Sequence, residues 1–307
     1  MSAHDLPGDP LWPRASAWLT PASDAHPEGD IALLGVPAFR SSITPTGANA
    51  TPAAVREALT RYSTYSASRD IDVATVSAID LGDVDEPDGA AGHARVTAAS
   101  ADAEGRFPLL IAIGGDNSVT LPVMTGLARG DLSGWGLVTV DAHHDLRDGK
   151  SNGSPVRQLI DAGLPAEHVV QIGIADFANS PAYAKRAKDL GITVMTRASL
   201  RGRNMAEAAE EALRIAGHGG RPVYVDLDVD VCDRAEVPGC PAAAPGGITA
   251  DELRQLAQLF ASDTRVRGID ITEIDATIDA EDGRTVRLAA LLVLEIATGY
   301  ALRPDAT

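Results

Sequence analysis

Short runs of β-branched and other apolar residues alternate along most of this chain with longer segments in which apolar residues recur at helical spacing. Short apolar runs of this kind are typical of strands that are buried on both faces of a sheet. The predicted strands cover residues 31–36, 78–84, 109–113, 136–140, 168–173, 192–195, 223–230 and 266–271.

The segments between these strands are predicted to be helices. They cover about 52–62, 92–104, 121–127, 156–162, 181–189, 205–216, 250–260 and 285–300. Thr249 followed by Glu252 is the signature of a capping box at the start of one of them. Strand and helix patterns alternate about eight times, which predicts an α/β protein with a mostly parallel sheet covered by helices on both faces. A (β/α)8 barrel gives the same alternation and stays open as an alternative.

The domain organisation follows from composition. Residues 1–29 are rich in Pro, Ala, Asp and Ser, and we expect an irregular N-terminal arm that Trp12 and Trp18 anchor on the main domain. Residues 30–307 show no break in composition and are predicted to form a single domain.

Candidate chemistry is concentrated where two of the predicted strands end. Asp141, His143 and Asp145 follow the strand 136–140, and alternate residues of an extended chain point to one side. A second strand carries Asp226, Asp228 and Asp230 at the same spacing. So many acids close together repel one another unless a cation lies between them, which predicts a divalent metal site. A solvated strand end would explain either segment alone but explains the two together poorly.

A third segment belongs to the same edge of the predicted sheet. Gly114 and Gly115 follow another buried strand and lead into Asp116 and Asn117. Two glycines let the backbone turn tightly beneath a ligand. The lysine of a phosphate-binding loop is absent, so we exclude a nucleotide site.

Charge and cysteine content narrow the class further. With 43 acidic and 26 basic residues, the formal net charge is −17, which argues against a nucleic-acid or anionic membrane partner. The two cysteines, Cys232 and Cys240, are too few for a disulfide framework and are expected to be reduced thiols. Without a leader or a long apolar run, we expect a soluble cytoplasmic protein.

As an ordered set, these motifs resemble the ureohydrolase family, which includes arginases, agmatinases and formimidoylglutamases. The resemblance covers about residues 30–300. It rests on Gly47-Ala48 with Pro52 and Arg56, Asp80-Leu81-Gly82-Asp83, Gly114-Gly115-Asp116, Asp141-Ala142-His143-His144-Asp145, Asp228-Val229-Asp230 with Asp233, and Asp270 with Glu273.

This resemblance implies an arginase-like, three-layer α/β/α fold with about eight strands, a homo-oligomer, and two Mn²⁺ ions per subunit. Asp141 and Asp228 would bridge the ions, Asp145 would complete the first site, and His143 and Asp230 would complete the second. A hydroxide held between the ions, with Asp145 as its hydrogen-bond partner, would attack an amidine or guanidino carbon. Glu273 would pair with the cationic N–H groups of that substrate.

Two positions depart from the common pattern of the family. Asn117 occupies the place of a metal-binding histidine, so the first site is expected to be weak, and Asn152 occupies the place of a second histidine. Formimidoylglutamases are similar in both respects. The resemblance therefore favours hydrolysis of N-formimino-L-glutamate to L-glutamate and formamide, with Asn152 in the substrate site and Arg157 or Arg147 holding a substrate carboxylate.

Three other functions stay open at this point. An agmatinase or another guanidino-acid hydrolase would release urea instead of formamide. A metal-binding but inactive regulatory homologue is compatible with a weakened first site. A phosphoacceptor domain also gathers acids at strand ends, but it needs a much shorter chain and has no place for His143 and Glu273.

Overall fold

The computed structural model describes residues 9–304, and its centre is a sheet of nine parallel strands. These strands, in chain order, are β1 (Leu19–Pro21), β2 (Ile31–Val36), β5 (Ala78–Asp83), β6 (Leu109–Gly114), β7 (Gly136–Val140), β8 (Val169–Ile174), β9 (Thr193–Thr196), β10 (Val223–Asp228) and β11 (Val266–Thr272). A separate antiparallel hairpin consists of β3 (Tyr65–Ser66) and β4 (Ile71–Asp72). In space the nine strands follow the order β1-β5-β2-β6-β11-β10-β7-β8-β9.

Helices cover both faces of this sheet. They are α1 (Thr51–Ala58), α2 (Gly89–Ala103), α3 (Thr120–Leu127), α4 (Pro155–Asp161), α5 (Pro181–Leu190), α6 (Met205–Ala216), α7 (Ala250–Ala261) and α8 (Arg284–Ala301). The apolar faces of α1, α6, α7 and α8 form one core with the sheet, and those of α2 to α5 form the other. The predicted three-layer α/β/α fold is thereby confirmed, and the open sheet excludes the barrel.

The ninth strand comes from the stretch that was expected to be an irregular arm. Leu19–Pro21 pairs with Ala78–Asp80 at the edge of the sheet, and the Trp18 indole N–H donates to Val76 O at 2.7 Å. Trp18 is buried, as expected of an anchor, whereas Trp12 is 52% exposed. Trp18 and these three paired residues therefore hold part of the arm on the main domain. The first eight residues of the arm lie outside the described part.

Local sequence signals explain several helix ends. Thr249 and Glu252 form the predicted capping box of α7, in which each side chain accepts a hydrogen bond from the backbone N–H of the other residue. Pro155 and Pro181 each occupy a first-turn position, where the missing N–H costs nothing. None of the helices within residues 9–304 is long and apolar enough to cross a membrane.

Candidate metal centre and active site

Four adjacent central strands deliver the candidate residues to one edge of the sheet. Strands β6, β11, β10 and β7 are neighbours and parallel, so their carboxyl ends open on the same crevice, where ligands bind in open α/β sheets. Leu227 is paired with Val140, which sets Asp228 beside Asp141 at the two strand ends.

The Asp141 segment leaves its strand in a compact turn. The Asp141 N–H donates to Ile172 O at 2.9 Å, and Asp141 Oδ1 accepts the His143 N–H at 2.6 Å. The second carboxylate oxygen of Asp141 is buried and has no hydrogen-bond partner within residues 9–304. A buried, unpartnered carboxylate oxygen is unfavourable unless a cation binds it.

Strand β10 ends at Asp228, and a single 3₁₀ turn at Val229–Val231 then brings Asp230 back towards it. The Asp230 N–H donates to Asp228 Oδ1 at 2.8 Å. Asp230 Oδ1 accepts the Ala142 N–H at 3.1 Å, and Asp230 Oδ2 lies 2.7 Å from His143 Nδ1. One ligand atom from each of Asp141, His143 and Asp230 lies within 4.8 Å of the other two.

The titration behaviour of these groups shows how strongly the site needs positive charge. Burial raises the pKa values of Asp141 and Asp228 well above the ordinary range. Burial also lowers the pKa of His143, but the charges and hydrogen bonds of Asp230 and Asp141 together outweigh it and raise that pKa to about 12. Burial acts to raise the pKa of Asp230 as well, and the His143 charge lowers it on balance. In the part of the chain that the structure describes, His143 is thus the cation paired with these acids. Divalent ions would supply that positive charge more fully. The donor set fits manganese.

Asn117 and Asp145 form a second part of the site. The Asn117 amide donates from Nδ2 to Asp145 Oδ2 at 2.7 Å. Its Oδ1 accepts hydrogen bonds from the hydroxyls of Thr120 (2.8 Å) and Thr272 (3.2 Å). Burial raises the pKa of the Asp145 carboxyl to about 7. Asn117 therefore holds Asp145 in this structure, and its own side-chain oxygen is occupied by two threonine hydroxyls.

Glu273 follows β11 and faces the cavity beside the acids. Its Oε1 accepts two hydrogen bonds of 2.8 Å, from the Asn117 N–H and from Asn152 Nδ2. The Asn152 Oδ1 in turn accepts the Ile43 N–H at 3.1 Å. Burial raises the pKa of Glu273 to about 8. Because both bonds end on Oε1, Oε2 is left for a ligand in the cavity.

Asp145 and Glu273 share an unusual backbone conformation, with φ values of 53° and 63°. For residues other than glycine, this left-handed region costs of order 1 kcal/mol or more. The Glu273 conformation is held by its N–H, which donates to Gly115 O at 2.8 Å. Both side chains are therefore aimed into the site by strained backbone.

A further pair of acids lies directly beneath the metal centre. Asp226 and Asp270 are completely buried, side by side on β10 and β11. Tyr224 donates its hydroxyl to Asp270 at 2.8 Å. Burial and the neighbouring Asp270 raise the pKa of Asp226 well above its ordinary range, and burial raises that of Asp270 to about 6. Asp226 therefore belongs to this buried pair, not to the group around His143.

The cavity above the acids has a volume of about 400 Å³. Arg147 is exposed and lines it, together with Asn152 and Glu273. Arg157 does not line it: its guanidinium donates to Arg147 O (2.7 Å) and to Gly149 O, and pairs with Asp161. Of the two arginines considered for a substrate carboxylate, the structure brings only Arg147 to the cavity.

A parallel sheet between two layers of helices, with a cavity of buried acids at its carboxyl edge, is the arrangement of an enzyme that binds a divalent metal. The chain belongs to the arginase family, whose family model matches residues 29–299. A formimidoylglutamase from Halalkalibacterium halodurans is 36% identical over 284 residues, covering 88% of this chain and 87% of the relative. The crystal structure of the formimidoylglutamase from Bacillus subtilis matches with a TM-score of 0.91 at 31% identity, covering 99% of this chain and 97% of the other. A Trypanosoma cruzi formiminoglutamase structure with Mn²⁺, 23% identical, matches with a TM-score of 0.87 over 95% of this chain and 100% of the other, and shows the shared fold.

Proposed function

We propose that this protein is a manganese-dependent formimidoylglutamase that hydrolyses N-formimino-L-glutamate to L-glutamate and formamide. The observation that carries the proposal is the polarity of the cavity. Glu273 lies at its inner end beside the acids, and Arg147 lies on its wall. N-formimino-L-glutamate has the matching polarity, with a cationic formimino group at one end and two carboxylates at the other. The relatives that are named formimidoylglutamases support the same choice.

We propose that the metal centre has the ligand set that the motifs imply and holds two Mn²⁺ ions per subunit. Asp141 and Asp228 would bridge the ions, and His143, Asp145 and Asp230 would complete their coordination. When bound, the ions would lower the pKa of a water molecule so that it can act as a nucleophile near neutral pH. Asn117, for which the resemblance predicts a weak metal ligand, would instead orient Asp145 through its Nδ2 hydrogen bond.

The side chains around the ions divide the remaining work. Asp145 Oδ2 is occupied by Asn117, which leaves Oδ1 to accept a proton from the attacking water. Glu273 Oε2 would accept hydrogen bonds from the formimino N–H groups, while Asn152 fixes Glu273 from behind. Water oxygen adds to the formimino carbon, the bond from that carbon to the glutamate nitrogen breaks, and the glutamate amine takes up the proton. Formamide retains the terminal nitrogen.

A product assay tests this proposal directly. Purified protein loaded with Mn²⁺ is incubated separately with N-formimino-L-glutamate, agmatine and a guanidino acid, and formamide, ammonia and urea are measured. We expect formamide and glutamate from the first compound and no urea from the others. Urea as the main product would favour the agmatinase alternative. Manganese binding without any product would identify an inactive homologue.

Arg147→Ala is expected to raise KM for N-formimino-L-glutamate about tenfold or more and to change kcat much less, because a charge-assisted hydrogen bond contributes about 1.5–3 kcal/mol. Initial rates over a range of substrate concentrations measure both constants. The exposed Lys188→Ala, on α5, is the control for loss of a surface cation. A KM that stays at the wild-type value would remove Arg147 from the substrate site.

Asn117→His is expected to lower the manganese concentration needed for half-maximal activity, because an imidazole is a better ligand than an amide. Asn117→Ala should raise that concentration, since Asp145 loses its 2.7 Å hydrogen bond. Manganese titrations of activity compare the two variants with the wild type. An identical requirement in all three proteins would mean that residue 117 influences neither metal nor Asp145.

A further inference from the structure

Asn179 lies in the segment that follows β8, and its side chain reaches across to the Asp141 segment. Its Nδ2 donates to Ala142 O at 2.9 Å, and its Oδ1 accepts the His144 N–H at 2.9 Å. These two backbone groups belong to the residues on either side of His143. A single amide therefore holds the chain before and after a candidate metal ligand.

The backbone hydrogen bonds of this turn show how much depends on Asn179. Ala142 O has a second donor, the Ala175 N–H at 3.0 Å. Within residues 9–304, the His144 N–H donates only to Asn179. His144 is 4% exposed, so its N–H would lose its protein partner in a largely buried position without the amide, at a cost of about 1–3 kcal/mol.

A second amide holds the next residue in the turn. Gln171, which is completely buried on β8, donates from Nε2 to His144 O at 2.9 Å, and its Oε1 lies 2.7 Å from His144 Nδ1. His144 is thereby fixed with its ring towards β8. One amide on β8 and one in the segment after it thus hold the turn, and the His143 ring lies beside Asp230, 2.7 Å from its carboxylate.

We propose that Asn179 is a positioning residue of the metal centre, which fixes the peptides on both sides of His143 so that its imidazole is held in place for metal binding. This inference rests on the metal ligands of the proposed function but not on the identity of the substrate. It gives the segment after β8 a role that no sequence motif in that segment predicts. Loss of the amide should weaken metal binding, because the ligand must then be ordered when the ion binds.

The same segment offers a matched control. Phe177 lies two residues before Asn179, has a φ of 65° and is completely exposed. Its side chain does not line the cavity. Phe177→Ala therefore alters the segment without removing a hydrogen bond to the Asp141 turn, and it should bind manganese with wild-type affinity.

The test measures Mn²⁺ dissociation constants by isothermal titration calorimetry for the metal-free wild type, Asn179→Leu, Asn179→Asp and Phe177→Ala. Leu is close to Asn in size but makes neither hydrogen bond. The Mn²⁺ dissociation constant of Asn179→Leu should therefore be about tenfold or more above that of the wild type. Asp keeps the acceptor for the His144 N–H and loses the donor to Ala142 O. The Mn²⁺ dissociation constant of folded Asn179→Asp should therefore lie between those of Asn179→Leu and the wild type. Activity of Asn179→Leu should recover as manganese approaches saturation.

The possible results separate this inference from the proposed function. Wild-type manganese affinity in a folded Asn179→Leu variant, as judged by circular dichroism, would overturn it. If Leu at this position prevents folding, Asn179→Ala, which also makes neither hydrogen bond, replaces it, and wild-type manganese affinity in that folded variant overturns the inference. If manganese binding depends on Asn179 but the protein forms no formamide, the inference about Asn179 is supported and the proposed substrate, N-formimino-L-glutamate, is rejected. A wild-type protein that binds no manganese rejects both.

Discussion

Asp228→Asn is expected to lose bound manganese and to lower kcat by about 1,000-fold or more, with the fold retained. A carboxylate shared by two cations supplies charge that an amide cannot replace, and metal ions contribute several kcal/mol to such reactions. The fold should survive because the substitution removes a buried acid whose pKa is already raised by burial. Asp141→Asn, at the other proposed bridging position, should behave in the same way.

Metal content after gel filtration, turnover and thermal melting together measure this effect. Asp148→Asn is a suitable control, because Asp148 is close to the site in sequence, its side chain is 78% exposed, and it pairs with Arg186 at the surface. That variant should keep full manganese content and activity. Near-normal manganese and turnover in either Asp228→Asn or Asp141→Asn would be incompatible with a binuclear centre.

Glu273→Gln is expected to lower kcat/KM by about 100-fold or more while leaving manganese content unchanged. Gln can still accept the hydrogen bonds from Asn117 and Asn152 on its oxygen, so the local structure should persist. Its NH₂ group would then face the cationic formimino N–H groups and replace a charge-assisted attraction by a repulsion. The loss of about 3 kcal/mol corresponds to that change in rate.

Steady-state kinetics and metal analysis of the same preparation separate this result from a metal defect. Glu281→Gln, at an exposed loop position, controls for removal of a glutamate charge. If Glu273→Gln retained wild-type kcat/KM, Glu273 would have no part in binding the amidine. If it lost manganese as well, its role would be in the metal centre.

The hydrophobic pattern predicted the fold well because most strands of this sheet are buried on both faces. The predicted bounds of β2, β7 and α6 agree with the structure, and the others differ by a few residues. Strand β1 was missed because it is three residues long, polar in part and ends at Pro21. A short edge strand forms through its partner, β5, and its own sequence carries little signal.

The acids of the site were also predicted, although their geometry differs from the one that alternation implies. Asp228 and Asp230 meet through a 3₁₀ turn, and Asp145 has a left-handed backbone, so neither segment continues as a strand. Turns that bring carboxylates together depend on hydrogen bonds such as the one from the Asp230 N–H to Asp228. Spacing alone does not distinguish them from extended chain.

The supporting residues were the least predictable part of the site. Asn179 and Gln171 are single amides without a motif, and their function depends on how β8 lies against β7. The choice between Arg147 and Arg157 depends on the loop at Gly149, whose φ of 82° lets the loop carbonyls face the Arg157 guanidinium. Such contacts join segments that are distant in sequence, so hydrophobic periodicity does not predict them.

The left-handed backbone at Asp145 and Glu273 has a consequence for protein engineering. Asparagine or glycine would fit these two positions with less strain, so a sequence optimised for thermostability alone would replace the residues that perform the proposed chemistry. The two carboxylates thus mark a stability–activity trade-off. A directed-evolution campaign that screens for heat resistance without a turnover assay should therefore accept substitutions at both positions, and yield a more stable protein with less activity.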